Sequence, residues 1–459
     1  MDKIKLLQDR RNKLLSAGKA IREDIAALVD KDSFVETSAF SFSESEFYDG
    51  TAEGEGVVCG FATIDDCPYY IVAQNAQVLN GGVSKANCQK IVKCLDQAEK
   101  NGTPVIYLLS SGGVRVGEGV NVLEGLAELL LKASRLKDSV TQYLIVNGDV
   151  YGQASLLAGI CDFNFFVEGR SVLALNSPMV IAAAGNVQLN KEKVGSYEAL
   201  NKTGIATFKV KSLAQVREKV VAINQLVNLE VCDCDELNLT LSKLNKCADA
   251  KALMQVFDKG SAIELMEGTA PDVKCFLARI GGISVAAVIF DGGEEGVKLC
   301  SGRMRKLNAF ATIASQYNLP FVTFVNTLGA KESLDVANSS LILEISEYVR
   351  IIDSMNSAKI SIVYGKAVGL GYTLFAAKNM GYDYTYAFAN SKIALFDSVQ
   401  GAEIEFNASA SENRDKLVAK YADENSDPVN AAKGGYVDNI IEPAFARQYL
   451  IASLQMLIK

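Results

Sequence analysis

A chain of 459 residues is too long for one hydrophobic core and predicts two domains. Its hydrophobic and charged fractions, 49% and 22%, are those of a globular protein, and its net charge of −8 argues against a nucleic-acid backbone as partner. The sequence contains no histidine, which excludes Ser-His-Asp triads, Cys-His pairs and His-ligated metals. Any catalysis must use backbone N–H groups, carboxylates, Lys, Tyr, Ser or Cys.

The apolar runs and the cysteines predict a cytoplasmic protein without stable membrane insertion. The run Leu126–Ala133 is interrupted by Glu128 and Lys132, far short of the roughly 20 residues that a membrane helix needs. The first residues contain no apolar signal core. The ten cysteines show no paired framework, and the close pair Cys232 and Cys234 lacks the further ligands of a zinc site. We expect reduced thiols and no metal.

The first half of the chain predicts alternating strands and helices. Apolar residues recur with helical spacing over residues 3–29, with an interruption near Ala17-Gly18. The turn Gly148–Ala154 is expected to open a helix through Ala158. Between these segments the pattern predicts strands at 56–61 and 69–73 joined by a turn at 65–68, a helix at 85–100, a strand at 105–109, a helix at 120–136 and a strand at 142–146. This succession predicts an α/β fold with right-handed connections.

The chain also repeats itself. The pattern of Gly148–Ala154 recurs as Gly365–Gly371 in the second half of the sequence. This match and four others in the same order predict two copies of one domain, 1–245 and 246–459, with a helical segment at 191–229 and a variable connector at 230–246. The other matches are 105–109 with 322–326 and Ser111-Gly112 with Leu328-Gly329 at the same offset, 60–64 with 276–280 at almost the same offset, and 29–33 with 257–261.

Each copy places a glycine turn between a buried strand and a helix. In Gly152-Gln153 and in Gly369-Leu370-Gly371, glycine permits a positive φ and lets a ligand approach the backbone. Two N–H donors at a helix start can stabilise an oxyanion, a contribution of about 3–4 kcal/mol per donor in acyl chemistry. The alternative is a purely structural tight turn, which the duplication disfavours. We therefore expect two oxyanion sites.

A glycine-rich strand exit allows a family to be named. Ser111-Gly112-Gly113-Val114-Arg115 with Glu118-Gly119 is neither a P-loop nor a dinucleotide fingerprint. It strongly resembles the Ser-Gly-Gly-Ala-Arg-x-x-Glu-Gly signature of biotin-dependent acyl-CoA carboxyltransferases, the family of the acetyl- and propionyl-CoA carboxylase β-type subunits. Further segments that resemble this family cover almost the whole chain: Asp30–Glu36, Gly56–Gly60, Ala73–Asn75, Lys366–Tyr372 and Ala431–Ile441.

The resemblance implies an α/β fold of two tandem crotonase-like domains, each a β-β-α superhelix. It implies an active site where the first domain of one subunit meets the second domain of another. Gly152-Gln153 would polarise the acyl-CoA thioester, and Gly369-Leu370-Gly371 would face the ureido oxygen of biotin. The carboxyl group would pass from carboxybiotin to the α-carbon of the acyl-CoA through an enolate. Residues 1–245 would then be the acyl-CoA side and 246–459 the biotin side.

The resemblance also suggests substrate contacts, cofactors and partners. No Ala-Met-Lys-Met biotinylation motif is present, so biotin is expected on a separate biotin carboxyl carrier protein, with a biotin carboxylase subunit as a further partner. Coenzyme A is expected as part of the substrate, and the chain is expected to form a dimer or a trimer of dimers. The candidate CoA-phosphate or substrate contacts are Gly112, Gly113, Arg115, Lys19, Arg22, Lys90 and Tyr372.

Departures from the family pattern leave alternatives open. Gln153 stands where the family usually has a second glycine, Leu370-Gly371 replaces Gly-Ala, and Thr327–Lys331 replaces a Pro-Gly-Phe loop. The segment Leu173–Pro178 is also similar to malonate decarboxylase carboxyltransferase subunits, and the chain further resembles those of glutaconyl-CoA decarboxylase. A biotin-dependent decarboxylase and a CoA-binding non-catalytic homologue are therefore alternatives. A crotonase-type hydratase with Glu118 or Glu124 as acid/base is a further one, which would leave the second domain unexplained.

Overall fold

The computed structural model describes residues 2–41, 52–185, 189, 194–227, 231–232, 234, 237–246, 249–410 and 412–458. The chain folds as two compact units, Met1–Ala222 and Ile223–Lys459. Each unit contains one mixed β-sheet with helices, which agrees with the predicted α/β class. Leu241 and Leu244, in the segment expected to be a variable connector, are buried in the hydrophobic core of the second unit. Within the described part of the chain, no helix combines the length and apolar character of a membrane-spanning segment.

The first unit follows the predicted order of elements. Its helices are α1 (Lys3–Ala17), α2 (Lys19–Leu28), α3 (Lys85–Asn101), α4 (Val120–Leu136), α5 (Leu157–Ile160), α6 (Pro178–Gly185), α7 (Tyr197–Leu200) and, at the division between the units, α8 (Leu213–Val227). Its strands are β1 (Val35–Thr37), β2 (Val57–Ile64), β3 (Cys67–Gln74), β4 (Val105–Ser111), β5 (Gln142–Tyr151), β6 (Phe163–Val167), β7 (Val172–Ala174) and β8 (Phe208–Val210). They form the sheet β1-β2-β3-β4-β5-β6-β8, with β7 paired to β5.

The second unit has the same plan. Its helices are α9 (Ala250–Leu253), α10 (Ser301–Gln316), α11 (Leu334–Ala337), α12 (Leu341–Ser354), α13 (Leu370–Phe375), α14 (Ser398–Phe406), α15 (Arg414–Asn425), α16 (Pro428–Lys433) and α17 (Ala446–Leu457). Its strands are β9 (Ile263–Leu265), β10 (Val273–Ile280), β11 (Ile283–Phe290), β12 (Val297–Leu299), β13 (Phe321–Ala330), β14 (Lys359–Val368), β15 (Tyr384–Phe388), β16 (Lys392–Ala394) and β17 (Asn439–Ile441). They form the sheet β17-β15-β14-β13-β11-β10-β9, with β12 paired to β13 and β16 to β14.

The central parallel strands are buried on both faces, which explains their continuous apolar sequence. Residues Val105–Leu109 of β4 are all at most 1% exposed. Helix α4 buries one stripe at helical spacing, including Leu126, Leu129 and Ala133, and packs against α3. The central strands end in the loops that form the candidate site, so burial of these strands fixes the position of the loops.

The strand registers confirm the internal repeat and correct its alignment by one residue in β4. In the first unit Ser111 pairs with Val150, after a register break in the β4–β5 ladder. In the second unit Thr327 pairs with Ala367, after the same break in the β13–β14 ladder. Ser111 is therefore equivalent to Thr327 and not to Leu328. The offset between the copies is one residue shorter in β4 than in β5 both before and after this break, so the extra residue of the second copy lies in the connection between the two strands.

Two predicted elements also differ from the structure. Residues 148–151, expected as part of the turn, extend β5 because they pair with β7, and the turn begins only at Gly152. The segment 191–229, expected to be helical, contains the strand β8 as well as α7 and α8 within its described residues. Pairing of β8 with β6 overrides the weak helical pattern there.

A repeated carboxylate motif supports the predicted match of 29–33 with 257–261. The Asp30 carboxylate accepts from the backbone N–H groups of Asp65 and Asp66, at 3.1 Å each, and from Arg217 at 2.6 Å. In the second unit Asp258 accepts from the N–H groups of Gly281 and Gly282 and from Arg447. The same turn between two antiparallel strands is thus held by an aspartate in both units.

Candidate functional site

The first turn of the candidate site lies where β5 ends. Gly152 has a φ of +78°, and Gly152–Leu156 form a short 3-10 helix. Gln153 and Ala154 stand in the first turn of this helix, whose N-terminal end presents backbone N–H groups. A β-carbon at Gly152 would have its nearest neighbour, Gly113 Cα, at 3.9 Å. The positive φ rather than crowding therefore favours glycine here.

The second turn follows β14 and opens α13. Gly369 has a φ of +50°, and its N–H donates to Ala394 O at 3.0 Å, so this N–H is already used. Leu370 and Gly371 are the first two residues of α13, so neither N–H has the usual partner four residues earlier within the helix. A β-carbon at Gly371 would lie 2.7 Å from Thr327 O, which excludes any side chain at that position. Leu370 and Gly371 thus provide two N–H donors at the start of a helix.

The two turns are equivalent in detail. Gln153 and Ala154 correspond to Leu370 and Gly371 at the same offset that relates the ends of β5 and β14. In each unit the strand exit next to the turn has the same local hydrogen bond. The N–H of Gly113 donates to Ser111 Oγ at 3.3 Å, and that of Gly329 donates to Thr327 Oγ1 at 3.2 Å. Each unit therefore holds one pair of convergent backbone donors suited to an oxyanion.

A cavity of about 790 Å³ lies beside the second turn. Gly369, Leu370 and Tyr372 form one wall, and the rest is mainly apolar and aromatic, with Phe396 and Tyr421 among its lining residues. The Tyr372 hydroxyl donates to the backbone carbonyl of Tyr436 at 3.2 Å, and burial raises the pKa of Tyr372. The cavity could therefore hold a neutral ring with a polar carbonyl near the N–H groups of this turn.

The two basic residues of α2 have different environments. Lys19 is exposed, and its ammonium lies 3.9 Å from Glu23, so it is accessible to a phosphate. Arg22 is largely covered, and its guanidinium forms a bidentate pair with Glu36 at 2.9 and 2.8 Å. It also donates to Gly18 O at 3.1 Å, so Arg22 fixes the start of α2.

Lys90 and Arg115 lie in the interior of the first unit. Lys90 is 2% exposed and donates to Gly54 O at 3.0 Å and to Val57 O at 2.6 Å. Arg115 is 6% exposed and bonds the Glu55 carboxylate at 2.7 Å. Their contacts in the structure are with the protein itself, whereas Gly112 and Gly113 are accessible in the adjoining loop.

Sequence reasoning identified Gly369, Leu370 and Tyr372 in the wall of the cavity, but it missed Phe396, Tyr421 and Glu55. Phe396 follows β16, the counterpart of β7 in the first unit, but the corresponding residue there is Asn176, so the duplication gave no signal for an aromatic residue at this position. Glu55 could have been noticed, because a carboxylate between Gly54 and Gly56 interrupts a glycine loop before a buried strand. Glu118, considered as a catalytic acid, accepts from the N–H of Lys85 at 2.9 Å and so caps α3.

No set of three or more carboxylate or thiol side chains in the described ranges is placed to hold a metal ion. None of the nine cysteines described there forms a disulfide bond.

The chain is similar over nearly its whole length to known carboxyltransferases. It is 27% identical over 459 residues to methylmalonyl-CoA decarboxylase subunit alpha of Veillonella parvula. The alignment covers 95% of this chain and 89% of the relative. It is also 27% identical over 477 residues to the mitochondrial propionyl-CoA carboxylase beta chain of Homo sapiens, with 98% and 86% covered.

A solved structure of transcarboxylase 12S, a hexamer with hydrolysed methylmalonyl-coenzyme A bound, superposes with a TM-score of 0.89. The identity is 22%, and the match covers 98% of this chain and 94% of the other. This similarity confirms the predicted crotonase-like α/β fold. The Carboxyl transferase domain matches residues 15–459, and the chain therefore belongs to the carboxyl transferase family.

Proposed function

We propose that this chain is the carboxyltransferase subunit of a biotin-dependent acyl-CoA carboxylase, which transfers a carboxyl group to the α-carbon of an acyl-CoA. The observation that supports it most directly is the repeated pair of backbone N–H groups at a glycine turn and helix start, Gln153 and Ala154 in one unit and Leu370 and Gly371 in the other. Two oxyanions develop in such a transfer, one on the thioester and one on the carrier, so two donor pairs meet the need without histidine.

In this proposal the first unit binds the acyl-CoA. The N–H groups of Gln153 and Ala154 hold the thioester oxygen, which favours loss of the α-proton because the enolate charge is stabilised where it forms. Gly113 leaves room for the acyl chain beside Gly152, since a β-carbon built on Gly113 would meet no atom within 4 Å. Lys19 offers a charge to the CoA phosphates.

The second unit has features that fit biotin. Biotin, attached to a separate carrier protein, supplies the ring nitrogen that holds the carboxyl group. The cavity of about 790 Å³ offers apolar walls for its ring, and the N–H groups of Leu370 and Gly371 at the start of α13 are suited to its ureido oxygen. Apolar walls also exclude water, which strengthens these hydrogen bonds. Tyr372 keeps its proton and helps to close the wall.

Two alternatives have specific support. The similarity to methylmalonyl-CoA decarboxylase subunit alpha equals that to the propionyl-CoA carboxylase beta chain, which favours equally a decarboxylase subunit that moves the carboxyl group toward biotin. The bulky residues Gln153 and Leu370 beside the glycine turns would suit a non-catalytic CoA-binding homologue.

A biotin carboxylase subunit and a biotin carboxyl carrier protein are the proposed partners, and the proposed assembly is a homo-oligomer in the cytoplasm.

The test is transfer to free biotin. Purified protein is incubated with biotin and, separately, malonyl-, methylmalonyl- and glutaconyl-CoA, and loss of the carboxyl group is followed by chromatography of the CoA esters. Biotin-dependent loss from at least one ester is expected, and its identity gives the acyl specificity. Absence of turnover with every ester, together with measurable CoA binding, would favour the non-catalytic alternative.

A further inference from the structure

The loop before β2 in the first unit has an unusual backbone. Gly54, Glu55 and Gly56 have φ values of +62°, +59° and +66°, so three consecutive residues are left-handed. Glu55 is not a glycine, and it is completely buried. A buried carboxylate in a left-handed conformation is costly unless surrounding groups compensate for it. The groups that bind the Glu55 carboxylate indicate the role of this loop.

Arg115 is the group that compensates Glu55. Its guanidinium bonds the Glu55 carboxylate at 2.7 Å, Glu55 O at 3.1 Å and Gly82 O at 3.0 Å. The carboxylate also accepts from Ser84 Oγ at 2.7 Å. The side chains of Glu55 and Arg115 are 0% and 3% exposed, so this ion pair is inside the unit. Only a planar group with several donors can reach all three acceptors.

The Glu55–Arg115 pair is connected directly to the first half-site. Gly113 O accepts from the N–H of Val83 at 2.8 Å, and Arg115 N–H donates to Val83 O at 2.9 Å. The N–H of Gly112 donates to Asn80 O at 2.9 Å. The Gly112-Gly113 strand exit is therefore hydrogen-bonded to residues 80–83, and the Arg115 guanidinium ties that segment to Glu55.

Packing alone does not hold this strand exit. Gly113 has a φ of +123°, and a β-carbon built on it would find no atom within 4 Å. A glycine with open space around it has wide conformational freedom, so hydrogen bonds must set its orientation. Gly113 Cα is also the nearest atom, at 3.9 Å, to a β-carbon built on Gly152 at the turn.

The second unit has the same backbone but lacks the ion pair. Lys331 N–H donates to Leu299 O at 2.9 Å, as Arg115 N–H does to Val83 O. Lys331, which corresponds to Arg115, is exposed, and Pro271 stands at the position that corresponds to Glu55. The Glu55–Arg115 ion pair, which we call the lock, is therefore specific to the first unit. If the repeated fold required this ion pair, an equivalent pair would be found in both units.

We propose that Glu55 and Arg115 are positioning residues for the acyl-CoA half of the reaction, a role that rests on the proposed function. Through Val83 and Gly82 they hold the Gly112-Gly113 strand exit against the Gly152 turn, so that the thioester oxygen meets the donors in one geometry. A buried ion pair contributes little net stability but can select a single conformation. Removing the lock should loosen the first half-site and leave the second unchanged.

The test compares Arg115→Lys with Lys331→Ala as a matched control in the full-length protein. Arg115→Lys keeps the charge but loses two of the three acceptors. With methylmalonyl-CoA and free biotin we expect kcat to fall about 10- to 100-fold, since small displacements of a reacting geometry have effects of this size. KM for free biotin should change less than twofold. Lys331→Ala should change kcat and both KM values less than twofold.

Amide hydrogen exchange provides a second measurement that does not depend on turnover. Exchange at Gly112–Arg115 should speed up in Arg115→Lys and in Glu55→Gln, while exchange in the segment Leu328–Lys331 stays at the wild-type rate. Unchanged exchange at Gly112–Arg115, or equal loss of both half-sites with a matching fall in Tm, would overturn the positioning role. If the wild type turned over no ester, the proposed function would fail, and the exchange result would still decide whether the lock exists.

Discussion

Lys90 and Lys306 occupy equivalent positions in the two units, and each buries its ammonium against backbone carbonyls. Lys90 donates to Gly54 O and Val57 O, and Lys306 donates to Thr269 O at 2.7 Å. Burial lowers the pKa of both lysines. Because both units contain it, we infer that this lysine stabilises the repeated fold. Its ammonium donates to backbone carbonyls in and beside the loop before the first long strand.

We predict that Lys90→Met and Lys306→Met each destabilise the protein by about 1–3 kcal/mol, because buried carbonyls lose their donor. Urea denaturation measures this change. Transfer assays on the Lys90→Met protein that remains folded should show an unchanged KM for CoA esters. A stable Lys90→Met variant with a raised KM would instead place Lys90 at the CoA phosphates, as the family resemblance first suggested.

Lys19 and Arg22 should respond differently to substitution. Lys19→Ala should raise KM for CoA esters by at most about fivefold at low salt, which corresponds to about 1 kcal/mol for an exposed charge contact, and about 0.5 M salt should remove the effect. Arg22→Ala should lower the melting temperature, because Glu36 loses a bidentate partner. A KM effect of Arg22→Ala without loss of stability would contradict this division of roles.

The glycine turns separate the two half-sites. Gly369→Val should lower transfer by about two orders of magnitude, because the strained turn displaces the donors at Leu370 and Gly371. Calorimetric titration should show that CoA-ester binding survives. Gly152→Val should weaken productive ester binding and spare biotin. Wild-type transfer by Gly369→Val would rule out the biotin-side assignment of this turn.

Asp30 should contribute to acid sensitivity. The hydrogen bond from Arg217, with further backbone donors, holds the pKa of Asp30 well below its usual range in the folded protein. A carboxyl with a lowered folded-state pKa stabilises the protein above its unfolded pKa and loses this effect as the pH falls through the folded value. We therefore predict that the stability difference between wild type and Asp30→Asn is largest near pH 7 and shrinks below about pH 4. Thermal melts at pH 7, 5 and 3.5 measure it, and a constant difference would contradict the prediction.

Much of the architecture was determined by the sequence itself. The apolar run 105–109 and the helical stripe at 120–136 predicted β4 and α4, because burial on both faces and on one face leaves these periodicities in the sequence. The glycine turn at Gly152 recurs at Gly369, because each turn needs a positive φ that other residues rarely adopt. These are local requirements, and a sequence records them position by position.

Only the tertiary structure determined which basic side chains have hydrogen-bond partners within the protein. The sequence shows Arg115, Arg22 and Lys90 only as basic residues, and their partners lie 14 to 60 residues away in the chain. Whether a cation meets a ligand or a buried carbonyl depends on which segments the fold brings together. The register break in β4 and the cavity beside Gly369 likewise arise from pairing between distant strands and helices, because such contacts leave no fixed spacing in the sequence.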